Sequence, residues 1–227
     1  MTGGAGSVRT SRGALVGVDQ GDPLGRLVVF QYNPDEMTRR LRARAVEGDG
    51  GYGGARDEAL RLTGAPIETI SLGVELDAAD ATGPEQLTGP AAGVYPQLSA
   101  LELLLYPKSS SVVSGSALAL LGMVEMVPPQ APLTLLVWGS RRVLPVRLTS
   151  FSVTEQAYDA GLDPLRARVE LELRVLSYSD LPPTSLGHHL FLAHQVGKEA
   201  LARLGGAAGA ARSGLGLAGT ALAGGPW

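Results

Sequence analysis

The stretch "PLRARVELELRVLS" (residues 164–177) decides the fold. Ala167, Val169, Leu171, Leu173 and Val175 alternate with Arg166, Arg168, Glu170, Glu172 and Arg174. A period of two places the apolar set on one face of a β-strand and the charged set on the other. At ~3.3 Å per residue, a dozen such residues extend roughly 40 Å, about twice an ordinary strand. A strand of that length overshoots a small single-sheet core, and its unpaired end needs a neighbour.

Working outward, the segment before it supplies partners. "LTLLVW" (133–138) reads as a strand, and Gly139-Ser140 as a two-residue hairpin connection, since glycine tolerates the positive φ of such turns. Arg141 and Arg142 then begin the return strand over 141–159, where they can reach a neighbouring subunit. Leu144, Val146 and Leu148 share one parity, and the apolar parity then switches to Phe151 and Val153. A parity switch of this kind signals a β-bulge, which bends and twists the strand. "AGLD" before Pro164 carries turn chemistry, so 133–177 reads as a three-stranded antiparallel meander with long arms.

Further out, "RLVVFQY" (26–32) reads as a strand closed by Asn33-Pro34. Residues 35–66 read as strand pieces around a mobile loop, with five glycines among 48–54. "IETISLGVELDA" (67–78) is a half-buried strand with Ile70, Leu72, Val74 and Leu76 on one face. "PQLSALELLLYP" (96–107) reads as a three-turn helix with proline at each end, carrying Leu98, Leu101, Leu104 and Leu105 at helical spacing. Residues 108–132 mix a Ser-rich turn, an apolar run and a proline cluster. A helix is expected from about residue 188 to 204, with Leu192, Val196 and Ala200 on one stripe and Leu201 and Leu204 near it. This divides the chain into a flexible arm (1–25), a β domain (26–182), a C-terminal helix (183–204) and a Gly/Ala-rich tail (205–227) too rich in glycine to hold a helix.

Composition bounds the function. Among 227 residues, 44% hydrophobic and 18% charged means a globular chain with room for one well-buried core. The net charge of −3 lacks the basic excess that nucleic acid or an anionic membrane demands. The absence of cysteine removes disulfides, thiolate chemistry and Cys-ligated metals. Ala14–Val18 is too short for the roughly 7–15 apolar residues of a secretory signal. "ALALLGMVEMV" (117–127) falls short of the ~20 residues of a membrane helix. The expected location is cytoplasmic.

No motif demands catalysis, a cofactor or a metal. His188, His189 and His194 lack the spacing of three or four that places metal ligands on one helix face. "GDGGYGG" (48–54) is not followed by the Lys of a phosphate-binding loop. The pairs Asp35/Glu36 and Asp57/Glu58 lie beside arginines and read as solvated charge. Trp138 and Phe151 read as core or interface aromatics. The face of Arg166, Arg168, Glu170, Glu172 and Arg174 reads either as a solvated sheet with cross-strand ion pairs or as a charged wall facing a partner or a lumen. Strand length favours the wall.

The ordered set "FQYNPDEMTRRLRAR", "GAPIETISLGVELDA", "YPQLSALELLLYP" and "LTLLVWGSRRVLPVRLTSFSVTEQAYDAGLDPLRARVELELRV" resembles the tube-like domain of the baseplate adaptor of extracellular contractile injection systems, headless phage-tail-like particles. The similarity spans roughly residues 26–177. Its most specific marks are the hydrophobic-Trp-Gly-Ser hairpin and the Tyr158…Gly161…Pro164…Arg166-Ala167 return. It implies a mainly β, tail-tube-like antiparallel sandwich or barrel of two sheets with one or two packed helices. It further implies a non-catalytic hexameric ring at the base of the inner tube, touching the inner-tube protein, the spike hub and the baseplate wedges. Longer members of that family carry a C-terminal LysM module; residues 205–227 do not resemble one. A small-ligand or carbohydrate-binding β-barrel with Trp138 as its platform is the alternative reading.

Overall fold

The computed structural model describes residues 12–18, 27–30, 32–44, 62–80, 93–120 and 131–213. Their strands are β1 (Ala14–Val18), β2 (Leu27–Val29), β3 (Met37–Arg42), β4 (Ile67–Asp77), β5 (Leu133–Val137), β6 (Val143–Tyr158) and β7 (Pro164–Val175). The helices are α1 (Tyr95–Glu102), α2 (Ser109–Leu120) and α3 (Leu186–Ser213). All strands join one antiparallel sheet in the order β2-β1-β5-β6-β7-β4-β3. The mainly β class with a minor helical part is therefore the one expected. The described strands form a single continuous sheet where two were expected.

That sheet is rolled. The chain passes from one edge strand, β2, directly to the opposite edge strand, β3. On the way, Asn33 accepts a hydrogen bond at 2.9 Å from the N–H of Gly13, which immediately precedes β1. Asn33 to Met37 is at most ~14 Å of chain, yet in a flat sheet β1 and β3 would lie about 24 Å apart. The edges must curl toward each other, and Arg142 Nη1, just before β6, indeed lies 3.5 Å from Met37 Sδ.

Alternation fills the interior. Ile70, Leu72, Val74 and Leu76 of β4 and Ala167, Val169, Leu171, Leu173 and Val175 of β7 are buried in one cluster. Leu15, Val28, Phe30, Leu136, Leu144 and Val146 join them from the other side of the roll. Leu98, Leu101 and Leu104 bring α1 and the turn after it into the same core. Gly93 aims α1 with φ +53, in the left-handed region that favours glycine. The next N–H, of Val94, then donates to Pro164 O at 2.8 Å, and any Cβ on Gly93 would stand 2.2 Å from that same oxygen.

The bulge foreseen from the parity switch is present: the β6–β7 register slips between Leu148 and Ser150. Other expectations are corrected. The stretch expected as a flexible arm contains β1, which sits inside the sheet between β2 and β5; residues 1–11 and 19–26 lie outside the described residues. The β5–β6 connection is longer than Gly139-Ser140. Pairing ends at Val137–Val143 and the Trp138 N–H bonds Arg142 O at 2.7 Å, so Arg141 lies in the turn and not in the strand. Gly139 does take positive φ, at +67.

The helix at 96–107 is shorter than expected, closing at Glu102 before a turn. The Ser-rich start of 108–132 is the helix α2. Residues 205–213 continue α3 rather than forming a tail: alanine, the best helix former, offsets the three glycines there. The Gly-rich run 48–54, Asp57/Glu58 and residues 214–227 lie outside the described residues.

Candidate functional site

The charged side chains singled out by sequence share one surface. Arg166, Arg168, Glu170, Glu172 and Arg174 project from β7 away from the core. Register aligns Asp77, Arg166 and Gln156 across β4, β7 and β6. Successive rows are Glu75–Arg168–Thr154, Gly73–Glu170–Ser152, Ser71–Glu172–Ser150 and Thr69–Arg174–Arg147. Arg166 reaches Asp77 Oδ2 through Nε at 2.9 Å and Nη2 at 2.6 Å. The Ala79 N–H, and then Arg166, hold the Asp77 carboxyl below its ordinary value. Arg168 Nε meets Glu170 Oε1 at 3.0 Å, and Glu170 in turn lies over Gly73, where a Cβ would approach its carboxylate to 3.1 Å. These are exposed cross-strand and same-strand pairs, screened by solvent and of little weight for stability.

At the far end of the same strand the pairing is tighter. Asp180 Oδ1 accepts from Arg44 Nη2 at 2.6 Å and Arg174 Nη2 at 2.9 Å. Its Oδ2 accepts from the Ser177 hydroxyl at 2.6 Å and the Ser177 N–H at 3.0 Å. Burial works to raise this carboxyl, but the Ser177 and Arg44 hydrogen bonds outweigh it and hold it down at about 2. Beside it, Ser179 Oγ accepts from the Ala65 N–H at 3.1 Å. The cluster thus ties the end of β7 to the segments that follow β3 and precede β4.

Arg141 and Arg142 stand apart from this face, in the β5–β6 turn. Arg141 is exposed and Arg142 half-buried beside Met37. Trp138 packs on Phe30 with centroids 6.3 Å apart, and both press on Gly13. Trp138 and Phe151 are partly buried against the core, so Trp138 offers no open platform for a sugar. His188 lies near the start of α3, its Nδ1 at 3.3 Å from Leu181 O. His194 sits near the β5–β6 turn; burial first, then Lys198, holds it below its ordinary value. Among the described residues no three His, Asp or Glu side chains converge as a metal site, and no helix is long and apolar enough to cross a membrane.

Two features escaped the sequence. One is a groove of about 950 Å3 where the 32–36 connection passes Gly73, Glu75, Arg168 and Glu170. The other is an open strand edge. β5 pairs with β6 only as far as Val146. Beyond it, β6 has β7 on one side and, among the described residues, no strand on the other up to Tyr158. Inspection of 148–154, "LTSFSVT", finds neither charge nor proline, while Phe151 and Val153 are only half-buried. The other edges are protected in the usual ways: β2 is three residues long, and β3 carries Arg39, Arg40 and Arg42.

No protein-family model matches the chain, and no curated protein matches it. Eight chains of solved structures do. One belongs to a structure titled "Virion of native gene transfer agent (GTA) particle"; it is 10% identical, the match covering 71% of this chain and 89% of that one at a TM-score of 0.26. A likeness that low carries no weight for function, and the fold class rests on the strands themselves.

Proposed function

We propose that the chain is a structural subunit of a phage-tail-like contractile particle, repeated as a hexameric ring at the base of the inner tube and joining it to the spike hub and baseplate. The observation that carries this reading is the open edge of β6. Among the described residues, the ten of Thr149–Tyr158 offer roughly 30 Å of strand with no strand on the side away from β7. Its uncharged Ser/Thr/Val/Phe segment has the composition that proteins avoid leaving bare. A strand added by a neighbour would satisfy the exposed backbone groups and finish the burial of Phe151 and Val153. A contact between different surfaces of identical copies propagates head to tail and forms a ring where its rotation closes. The resemblance of residues 26–177 to tube-like adaptor domains gives that ring its setting. The subunit would work without turnover, cofactor, nucleic acid or membrane, its partners being itself, the inner-tube protein, the spike hub and the baseplate wedges.

Electron microscopy of particles purified from cells that make the chain tests this. A ring of six copies at the tube base is expected; the chain persisting as a free monomer in particle-producing cells overturns the reading.

A further inference from the structure

The outer face of the sheet is unevenly charged along its strands. Register extends the row of Arg174 onto β3: Arg40 pairs Thr69, Thr69 pairs Arg174, and Arg174 pairs Arg147. Residues directly opposite each other share a face, so three arginines and one threonine stand in line across four strands. Arg42, two residues on from Arg40 in β3, faces the same way. Farther along, the same face carries Glu172, Glu170, Glu75 and Asp77. Arg166 and Arg168 there are taken up by Asp77 and Glu170, which leaves Glu75 and Glu172 as a negative excess.

The arginine end is not neutralised. Asp180 binds both Arg44 and Arg174, so that cluster keeps one positive charge in excess. Arg40, Arg42 and Arg147 are exposed, and among the described residues none of the three forms an ion pair. Arg147 stands directly opposite Arg174, and like charges so placed destabilise a sheet. Among the described residues no carboxylate recovers that cost for Arg147. A ligand carrying carboxylates does.

We infer that this end of the face binds an acidic segment of a partner protein. One carboxylate sits over Thr69, between Arg40 and the Arg174/Arg147 pair, and a second sits beside Arg42. Thr69 is the short side chain of its row. With strands ~4.8 Å apart, Arg40 and Arg174 spring from points roughly 10 Å apart, which leaves a slot between two long side chains. Arg42 lies about 7 Å from Arg40 along β3, the spacing of alternate residues in any extended chain. Alternate carboxylates of an extended segment therefore meet both places, and the guanidinium fork matches a carboxylate with two donors. Nucleic acid fits poorly. At one negative charge per ~1.7 Å of duplex, it cannot cover the arginines without also lying against Glu172 and Glu170. The net charge of −3 also lacks the basic excess such a ligand demands. The contact uses no part of the β6 edge and is open in a single chain, so it stands whether or not copies form a ring.

The test titrates the full chain into a fluorescently labelled oligoglutamate peptide and reads anisotropy. Saturable binding is expected at ~0.01 M salt and should fade toward ~1 M, as the Debye length falls from about 30 to about 3 Å. Arg40→Ala with Arg147→Ala should weaken it at least about tenfold, roughly the worth of one charge-assisted hydrogen bond. Arg203→Ala, which removes the same charge from α3, should leave it unchanged. Thermal unfolding separates binding from folding. Loss of Arg147 relieves its opposition to Arg174, so the double variant should melt no lower than the parent. Absence of binding at low salt, binding indifferent to Arg40 and Arg147, or a double variant melting well below the parent overturns the assignment. Duplex DNA bound as tightly as the peptide overturns it too. So does low-salt self-association of the chain that the double variant loses, since the occupant is then a second copy.

Discussion

Replacing Asp180 with asparagine should cost about 2 kcal/mol of stability at neutral pH. The magnitude follows from its surroundings. In the fold the carboxyl titrates at about 2, against an ordinary value of 3.8, and each pH unit of difference is worth about 1.4 kcal/mol. With Asp180 at 14% and Arg44 at 24% side-chain exposure, solvent screens that pair little, while the pair to Arg174, 40% exposed, is screened more. A group whose folded value is depressed contributes stability that is present above the unfolded value and is lost as pH falls. The gap between parent and Asp180→Asn should thus hold steady above about pH 4, narrow below 3.8, and close as the pH passes about 2. For a chain of this size about 2 kcal/mol corresponds to a Tm lower by roughly 4–8 °C. Thermal unfolding followed by far-ultraviolet circular dichroism at several pH values measures it. A variant melting within about 1 °C of the parent at pH 7, or a gap undiminished at pH 2, would refute the account of Asp180 as the clasp between Arg44, Arg174 and Ser177.

Other substitutions separate folding from assembly. Gly13→Val places atoms against Phe30 and Trp138, where even a Cβ sits at 2.8 Å; it should destabilise by about 1–3 kcal/mol in chemical denaturation. Arg166→Ala removes an exposed ion pair to Asp77 and should lower the unfolding free energy from chemical denaturation by less than about 1 kcal/mol. Ser152→Lys with Thr154→Lys charges the open β6 edge; the monomer's melting should be unchanged while ring or particle yield in microscopy collapses. Arg141→Glu with Arg142→Glu should likewise spare the fold and impair assembly, and normal particles from that variant would remove the β5–β6 turn from the interface.

The long strands were legible because each carries its own pattern: nine residues of β4 and β7 alternate without interruption, and the displaced Phe151 betrayed the bulge. What was missed depends on partners distant in sequence. β1 is five residues in a Gly-rich stretch, and besides the three-residue β2 its full length is paired only by Leu133–Val137, far downstream. The serines of α2 suggested a turn, yet Ser114 and Ser116 bond back to Ser110 O and Val112 O at 2.8 and 2.9 Å, which satisfies hydroxyls that would otherwise compete for the backbone. Asp180 gathers partners from residues 44, 174 and 177, a grouping no local spacing announces. The stripe on α3 was legible as a stripe, but which face meets the sheet is set by Gly187 fitting under Leu181 and Pro145.

The route of the chain through the rolled sheet also sets a schedule. β1 and β2 are made early, yet the strand that holds them to the rest, β5, begins only at Leu133. At 5–20 residues per second, β1 waits roughly 6–23 s on the ribosome for its partner. β6, with its uncharged edge, follows directly behind β5. Sheets closed by such distant pairings fold slowly, so newly made chains would pass through an interval in which bare strand is plentiful. Production of this chain should therefore be most prone to aggregation at high expression rate, and least so when synthesis is slowed.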